Sequence, residues 1–328
     1  MEKNSTAQVY VFDSAPAGTN LIVRHTSRLR SLEDECFGLY DENMKNMLKS
    51  KRAEIKKPGS GQFDGMLLSL DSFSLQKGKR ILEVIDMHYS TYQTLKEQLN
   101  KELGYEHSLT RCVPLIAFTE TKEGDFIFGH RAGNHMSGLY LPPAGFSDHE
   151  GKVSENYFSE LSVNEIEEEL GIKIKEEDVH YAGLSAGEDS RNITVVTNSV
   201  LPYSKKEVEE IFTELKERLR KEGRKIEHKH LIYVPGYPRT IGSFLCGEYT
   251  GSLNLIRDIY FEKGNCVKGP QEILNKKYGQ IGNGIGGVLA IMKQRLSKKE
   301  YSQLVNQIES SGVTPKVEHT SLEEKFNL

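Results

Sequence analysis

The stretch NEIEEELGIKI, residues 164–174, places carboxylates at positions 165, 167, 168 and 169. On an α-helix, residues three and four apart share a face, so Glu165, Glu168 and Glu169 lie together while Glu167 points away. Three carboxylates at the C-terminal end of a helix repel one another and lie at the negative end of the helix dipole. A bound divalent cation would relieve both penalties, and oxygen-only ligands suit Mg²⁺ or Mn²⁺. The alternative is an acidic helix end that simply faces water.

The elements around these glutamates follow from the sequence pattern. A helix is predicted over Ser154 to Leu170, and Gly171 is well placed to end it because glycine enters the left-handed conformation without strain. Two short β-rich runs precede this helix, CVPLIAFTET and DFIFGHR, and Arg131 ends the second run. The Arg131 guanidinium could pair bidentately with phosphate oxygens. A surface salt bridge is the competing interpretation.

Histidines near these elements give weaker signals. His130, His135 and His149 fall in one loop region, where we expect solvated side chains rather than zinc ligands. In EHKH, residues 227–230, His228 and His230 share one face of a predicted strand. Structural roles outweigh metal binding for this pair.

The chain resembles the Nudix hydrolases over roughly residues 112–235. The signature of that family ends in Arg-Glu-apolar-x-Glu-Glu-x-Gly-apolar, and residues 164–172 read Asn-Glu-Ile-Glu-Glu-Glu-Leu-Gly-Ile. Upstream, GLYLPPAG is similar to the strand and glycine loop that lead into the signature. The resemblance implies an α/β (α+β) fold, a Nudix-type α/β/α sandwich with a mixed sheet, together with an N-terminal subdomain that is β-rich and helical.

The resemblance also implies roles for individual residues. Glu165, Glu168 and Glu169 would be Mg²⁺ (or Mn²⁺) ligands, and either Glu165 or Glu168 would position or deprotonate the attacking water. A further carboxylate often completes the family's metal site from a later element, and Glu227 has that place by order. An exposed residue at the start of a strand is the alternative for Glu227. Gly145 would belong to the substrate-binding loop.

Two departures from the family pattern are visible. Asn164 stands where the family has arginine, and Gly145 lies five residues further upstream of it than the pattern expects. The animal UDP-glucose/UDP-galactose diphosphatases form a branch that is similar in both irregularities. That branch is also similar in an N-terminal Phe63-Asp64-Gly65 followed by a strand pair and a tyrosine, here Tyr89 or Tyr92.

Hydrolysis of a diphosphate is the activity that this resemblance implies. Metal ions neutralise the phosphate oxygens and activate water, and a carboxylate can accept the proton. The preferred substrate is a UDP-sugar, giving UMP and a sugar 1-phosphate. The alternatives are an ADP-ribose or dinucleotide pyrophosphatase with the same chemistry, or a non-catalytic Nudix domain that binds a nucleotide as a sensor.

Composition limits the partners and the compartment. The 328 residues are 37% hydrophobic and 27% charged with a net charge of −4, which is typical of a globular protein without a basic surface for nucleic acid or an anionic membrane. The longest apolar run, IGGVLAIM, is too short to span a bilayer. Four scattered cysteines without a CxxC pair and a start without an apolar signal core favour a reducing, cytoplasmic location. A small-molecule nucleotide derivative is the expected partner, and a homodimer stays open.

The pattern along the chain suggests an N-terminal subdomain (1–111), a Nudix domain with a C-terminal helical extension (112–310) and a loosely ordered tail (311–328). GMLLSLDSFSL and RILEVIDMHY predict a β-hairpin. Ser204 and Glu207 have capping-box spacing at the start of another helix. GNGIGG, residues 282–287, matches a dinucleotide fingerprint, but too little chain follows for that unit, and we expect a turn into a final helix near 285–310.

Overall fold

A computed structural model describes residues 7–16, 18–26, 42–55, 64–94, 111–132, 140–151, 153–187, 192–246, 278–310 and 312–317. Two sheets and six α-helices are named within these ranges. Strands of the larger sheet are β1 (Ala7–Ser14), β5 (Leu115–Glu120), β6 (Asp125–Arg131), β7 (Tyr140–Leu141), β8 (Ala144–Gly145), β10 (His180–Gly187), β11 (Thr194–Val200), β12 (His228–Pro235) and β13 (Val313–Val317). The smaller sheet contains β2 (Leu21–Thr26), β3 (Met66–Gln76), β4 (Lys79–His88) and β9 (Asp148–His149).

The larger sheet is mixed. Its strand order is β12-β6-β5-β11-β10-β1-β13, with β7 paired to β6 and β8 paired to β5. Strands β5 and β11 run parallel, as do β1 and β13, and the other pairs are antiparallel. The short strands β7 and β8 lie in the connection from β6 to the glutamate helix, so the sheet itself positions the loop that contains Gly145.

Helices cover both faces of the larger sheet. They are α2 (Tyr157–Leu170), α3 (Lys205–Lys221), α4 (Pro238–Leu245), α5 (Tyr278–Arg295) and α6 (Lys298–Ser310). A further helix, α1 (Glu42–Ile55), contacts the residues that follow β4, where Arg52 donates to Ser90. Along β6, Ile127 packs in the core with α2 and α3, whereas Phe126 and Phe128 pack in the core with α4, α5 and α6. This alternation is that of a strand buried on both sides. The fold is therefore a three-layer α/β/α arrangement, as the sequence predicts.

The smaller sheet confirms the predicted hairpin. Strands β3 and β4 pair antiparallel across the turn at Lys77 and Gly78, whose φ angles are 50° and 79°. Strand β2 runs parallel to β4 and β9 runs antiparallel to β3. A partly buried ion pair links the two sheets: Arg80 Nε lies 2.6 Å from Asp13 Oδ2, to which the Tyr181 hydroxyl also donates at 2.9 Å.

Helix ends follow the sequence where capping chemistry is clear. Gly171 ends α2 with φ 77°, and its amide donates to the carbonyl of Glu167. Ser204 and Glu207 form the predicted capping box at the start of α3. The core stripe of α3 is also confirmed, with Val208, Phe212, Leu215 and Leu219 buried and Ile211 partly buried.

The GNGIGG stretch corrects a prediction. It lies inside α5 and not in a turn before a helix. A Cβ on Gly286 would stand 2.7 Å from Cβ of Ser185, and one on Gly287 would stand 2.6 Å from the ring of Phe118. These glycines let α5 lie close to the sheet, which is a packing reason for small residues at these positions. The predicted final helix is two helices, α5 and α6.

Strand pairing crosses the suggested domain limits. Strand β1, from the segment before residue 111, pairs with β10, and β13, from the suggested tail, pairs with β1. The three-part division stays a prediction, and residues 318–328 lie outside the described ranges. Of the four cysteines, Cys112 and Cys246 are buried and form no disulfide, while Cys36 and Cys266 fall outside those ranges. Within the described residues, no helix is long and apolar enough to cross a membrane.

Candidate functional site

The last two turns of α2 carry the acidic cluster. Glu169 is buried with 4% of its surface exposed, Glu165 is half-buried and Glu168 is exposed. Glu167 is the residue that leaves the cluster, because its carboxylate pairs with Lys173 Nζ at 3.3 Å. The helical spacing thus separates Glu167 from the other three, as predicted.

Arg131 joins the cluster from the end of β6. Its Nη1 lies 2.5 Å from Oε2 of Glu227 and 3.3 Å from Oε1 of Glu169. The pairing of β6 with β12 sets His228 opposite Arg131, and this brings Glu227 to the same end of the sheet. Arg131 makes a salt bridge here, the contact that the sequence offered as the alternative to phosphate binding. The pairs are partly enclosed, with 21% of the Arg131 side chain exposed.

His228 holds the other oxygen of Glu169. Its Nε2 lies 2.6 Å from Glu169 Oε2, and its side chain is fully buried. Burial, helped by the charge of Arg131, lowers the pKa of His228 from 6.5 to about 4, so the ring is neutral at pH 7. Gly129 makes room for it, because a Cβ there would stand 2.3 Å from the ring. His228 is a site residue whose role the sequence does not predict, since the alternation in EHKH is the only local signal for it.

Burial and crowding disfavour the charged forms of the glutamates. Burial, followed by the charges of Glu169, Glu168, Glu227 and Asp148, raises the pKa of Glu165 to about 8. Burial and the charge of Glu227 likewise raise the pKa of Glu169 to about 8, against the opposing effects of Arg131 and of a hydrogen bond from the backbone of Ala144. Ionising both carboxyls would therefore give the cluster more negative charge than its own cations compensate.

The loop before α2 closes the site on one side. Gly145 lies against Glu165 so closely that a Cβ on it would stand 1.9 Å from Glu165 Oε1. The next residue, Phe146, leaves 41% of its surface exposed. The rings of Tyr89 and Tyr92 approach it edge to face, each with its centroid 6.3 Å away. Phe146 thus places an exposed aromatic ring directly after Gly145, the residue that touches the acidic cluster.

The donor set fits a hard divalent cation in its chemistry. Carboxylate oxygens are the ligands that Mg²⁺ and Mn²⁺ prefer, and a cation would offset the repulsion that raises the pKa of Glu165. Both oxygens of Glu169 already have partners, so Glu165 and Glu168 could hold a cation without breaking an ion pair described above. In the described part of the chain, no three of these carboxylates bring oxygens within 4.8 Å of one another, so binding would draw them together.

The structure brings together most of the residues that the sequence singled out. Glu165, Glu169, Glu227, Arg131 and Gly145 meet at one end of the sheet, joined by His228. Asn164 is exposed, and Arg131, from β6, contacts Glu169 of this helix.

The loop histidines separate in the structure. His130 stacks on His230 with ring centroids 4.6 Å apart, whereas His149 faces His25 in the smaller sheet. His135 lies outside the described residues.

Comparison with known proteins gives distant likenesses. No protein-family model and no curated protein matches the chain. A bifunctional NMN adenylyltransferase/ADP ribose pyrophosphatase from Francisella tularensis, complexed with AMP and a Mn ion, is 12% identical over 44% of this chain and 38% of its own, with a TM-score of 0.25. A MutT/nudix family protein from Enterococcus faecalis is 12% identical over 66% of this chain and 87% of its own, with a TM-score of 0.28.

A second Francisella tularensis structure of the bifunctional enzyme is 13% identical, with a TM-score of 0.28, and the match spans 46% of its length. The chain thus spans less than half of either Francisella protein. Likenesses at these TM-scores do not establish a family.

Proposed function

We propose that this protein is a Nudix-type hydrolase that cuts the diphosphate of a nucleoside diphosphate linked to another group, with Mg²⁺ or Mn²⁺ as cofactor. A UDP-sugar is the preferred substrate, giving UMP and a sugar 1-phosphate. The observation that carries the proposal is the meeting of Glu165 and Glu169 with Glu227, Arg131 and the Gly145 loop at one end of the sheet.

The acidic cluster supplies the reaction's proton acceptor. Hydrolysis forms a bond from the water oxygen to phosphorus and breaks the bond from phosphorus to the bridging oxygen, leaving two phosphomonoesters. A carboxylate whose pKa lies near the working pH is suited to take the proton of the attacking water, which favours Glu165 over an ordinary glutamate. When bound by Glu165, Glu168 and the neighbouring carboxylates, Mg²⁺ would neutralise phosphate oxygens and activate water.

Two further features support binding of a nucleotide. Arg131 pairs with Glu227, whose side chain is 47% exposed, so a phosphate could replace that partner at the surface. The exposed ring of Phe146, supported by Tyr89 and Tyr92, offers a flat apolar face to a nucleobase.

One observation favours a second candidate function. Arg131 and His228 engage both oxygens of Glu169, an arrangement that a protein without catalytic metal could keep. On that basis the alternative is a Nudix domain that binds a nucleotide as a sensor.

A substrate panel, run with a matched pair of variants, tests whether the protein is a hydrolase and which substrate it prefers. UDP-glucose, UDP-galactose, ADP-ribose and a dinucleoside diphosphate are incubated with the protein and Mg²⁺, then treated with alkaline phosphatase, which releases phosphate from the products and not from the intact diphosphates. We expect turnover of UDP-sugars, a fall of about 100-fold in Glu168→Gln, and little change in Glu167→Gln, which removes a neighbouring charge outside the cluster.

Each outcome has a distinct meaning. Equal turnover by Glu168→Gln and the parent protein would remove Glu168 from the machinery. Preference for ADP-ribose would keep the chemistry and change the substrate. Nucleotide binding by calorimetry without turnover of any compound would favour the sensor.

A further inference from the structure

A second polar cluster lies in the smaller sheet, apart from the glutamates. His25 on β2, Asp86 on β4 and His149 on β9 bring their ligand atoms within 4.8 Å of one another, and they are the residues of the described chain that form such a group of three. Nε2 of His149 lies 3.0 Å from Oδ1 of Asp86, and Nε2 of His25 contacts the same oxygen. Three separate strands therefore deliver two imidazoles and one carboxylate to one point.

This donor set differs in kind from the acidic cluster. Two imidazole nitrogens and a carboxylate are ligands of zinc and similar borderline ions, whereas Mg²⁺ prefers oxygen. Ligands at about 2.0–2.1 Å from a tetrahedral zinc lie about 3.3 Å from one another, close to the separation that His149 and Asp86 already have. The side chains of His25, Asp86 and His149 are 10%, 9% and 7% exposed, so they are enclosed but still reachable from solvent.

The hydrogen bond of His149 Nδ1 leaves Nε2 of the same ring available as a metal ligand. Its Nδ1 lies 2.9 Å from the carbonyl oxygen of Gly151 and donates to it. Metal-binding histidines usually donate their second nitrogen to a carbonyl or carboxylate in this way, which fixes the tautomer and leaves the lone pair on the ligating nitrogen. Nε2 of His149 is buried and lies 3.0 Å from Oδ1 of Asp86 without the geometry of a hydrogen bond. A cation bound by both atoms would satisfy the buried nitrogen and the carboxylate together.

We propose that His25, Asp86 and His149 form a site for a zinc-class divalent ion, independent of the catalytic glutamates. The site fastens the loop of residues 145–151 to the smaller sheet, because His149 ends β9 while Gly145 in the same loop touches Glu165. The Tyr157 hydroxyl, at the start of α2, donates to the carbonyl of Asp148 at 2.7 Å and holds the other side of the loop. Metal at this site stabilises the loop rather than taking part in hydrolysis.

Zinc alone is the probe for the test. The full chain is stripped with a chelator, then titrated with Zn²⁺ in excess Mg²⁺, which occupies oxygen-only sites, and its metal content is measured after gel filtration. We expect one equivalent of zinc per chain in the parent protein and binding at least about tenfold weaker in His149→Gln. His180→Gln, which removes a partly buried histidine of the larger sheet, is the matched control and keeps parental binding.

Spectroscopy of the parent protein keeps the test independent of how well the variants fold. Co²⁺ in place of zinc should give the visible bands of tetrahedral coordination, and X-ray absorption on the zinc form should show two imidazole nitrogens. Failure of the parent protein to retain zinc would overturn the site and identify the cluster as an ion-paired triad. Retention that His149→Gln and His25→Asn both leave unchanged would equally overturn it. Neither result bears on diphosphate hydrolysis.

Discussion

Glu165→Gln offers a direct test of the electrostatics of the acidic cluster. The fold raises the pKa of this carboxyl from 4.5 to about 8, so between these pH values the folded protein holds a proton that the unfolded chain has lost. Stability is therefore lost as pH rises through this window. At about 1.4 kcal/mol per pKa unit the rise corresponds to about 5 kcal/mol at most, and we expect about 2 kcal/mol because the helix end can relax.

Glutamine keeps the shape of the side chain and removes its titration. In the presence of a chelator, the unfolding free energy of Glu165→Gln should increasingly exceed that of the parent protein as pH rises from about 5.5 to about 9. The difference, measured by urea unfolding, should reach about 2 kcal/mol. Added Mg²⁺ should reverse the order at pH 9, since the parent protein gains a ligand and the variant has lost one of its donors. Glu167→Gln is the control and should show neither effect, because Glu167 pairs with Lys173 outside the cluster.

The pH dependence decides the matter more sharply than any single stability value. A glutamine variant whose advantage over the parent protein does not grow with pH would show that Glu165 ionises without cost, and the crowding argument would be wrong. If the stability difference grows with pH but does not respond to Mg²⁺, the charge crowding at Glu165 would be supported and metal binding by this residue would be ruled out.

Three further predictions concern single contacts. Gly145→Ala should lower turnover at least tenfold with little loss of stability, because the new methyl displaces only the end of the Glu165 side chain. As pH falls from 6.5 to 4, the parent protein should lose about 2–3 kcal/mol of unfolding free energy, because the unfolded chain binds a proton at His228 and the folded protein does not. This loss should be absent in His228→Gln. In α5, Gly287→Ala should lower the melting temperature, since its Cβ meets a buried phenylalanine. Gly284→Ala should raise the melting temperature, since nothing lies within 4 Å of its Cβ and alanine adds about 0.5–1 kcal/mol of helix propensity to the free energy of unfolding.

Local chemistry explains what the sequence could predict. The capping pair Ser204 and Glu207, the helix-ending Gly171 and the hairpin of β3 and β4 each depend on neighbouring residues, and all three have the expected form. The glutamate trio was visible for the same reason, since helical spacing fixes which carboxylates share a face.

Long-range partners explain what the sequence could not. Arg131 meets Glu169 and Glu227 only because β6 pairs with β12, and no local pattern fixes that pairing. His149 similarly looked like a loop histidine, since its contact with Asp86 depends on strands far apart in the chain. The glycines of GNGIGG allow a helix to pack closely against the sheet. The same glycine spacing occurs in phosphate-binding loops, so the motif alone does not distinguish the two roles.

The place of β1 in the larger sheet has a consequence for how the chain folds during synthesis. Residues 7–14 leave the ribosome long before their hydrogen-bonding partners, which are residues 180–187 on one side and 313–317 on the other. Strand β1 therefore cannot pair until these later residues are made, and Val9 and Val11 stay exposed until the sheet and α5 form around them. A ribosome-bound chain that ends before α5 should keep β1 open to chaperones and proteases, and release should protect it.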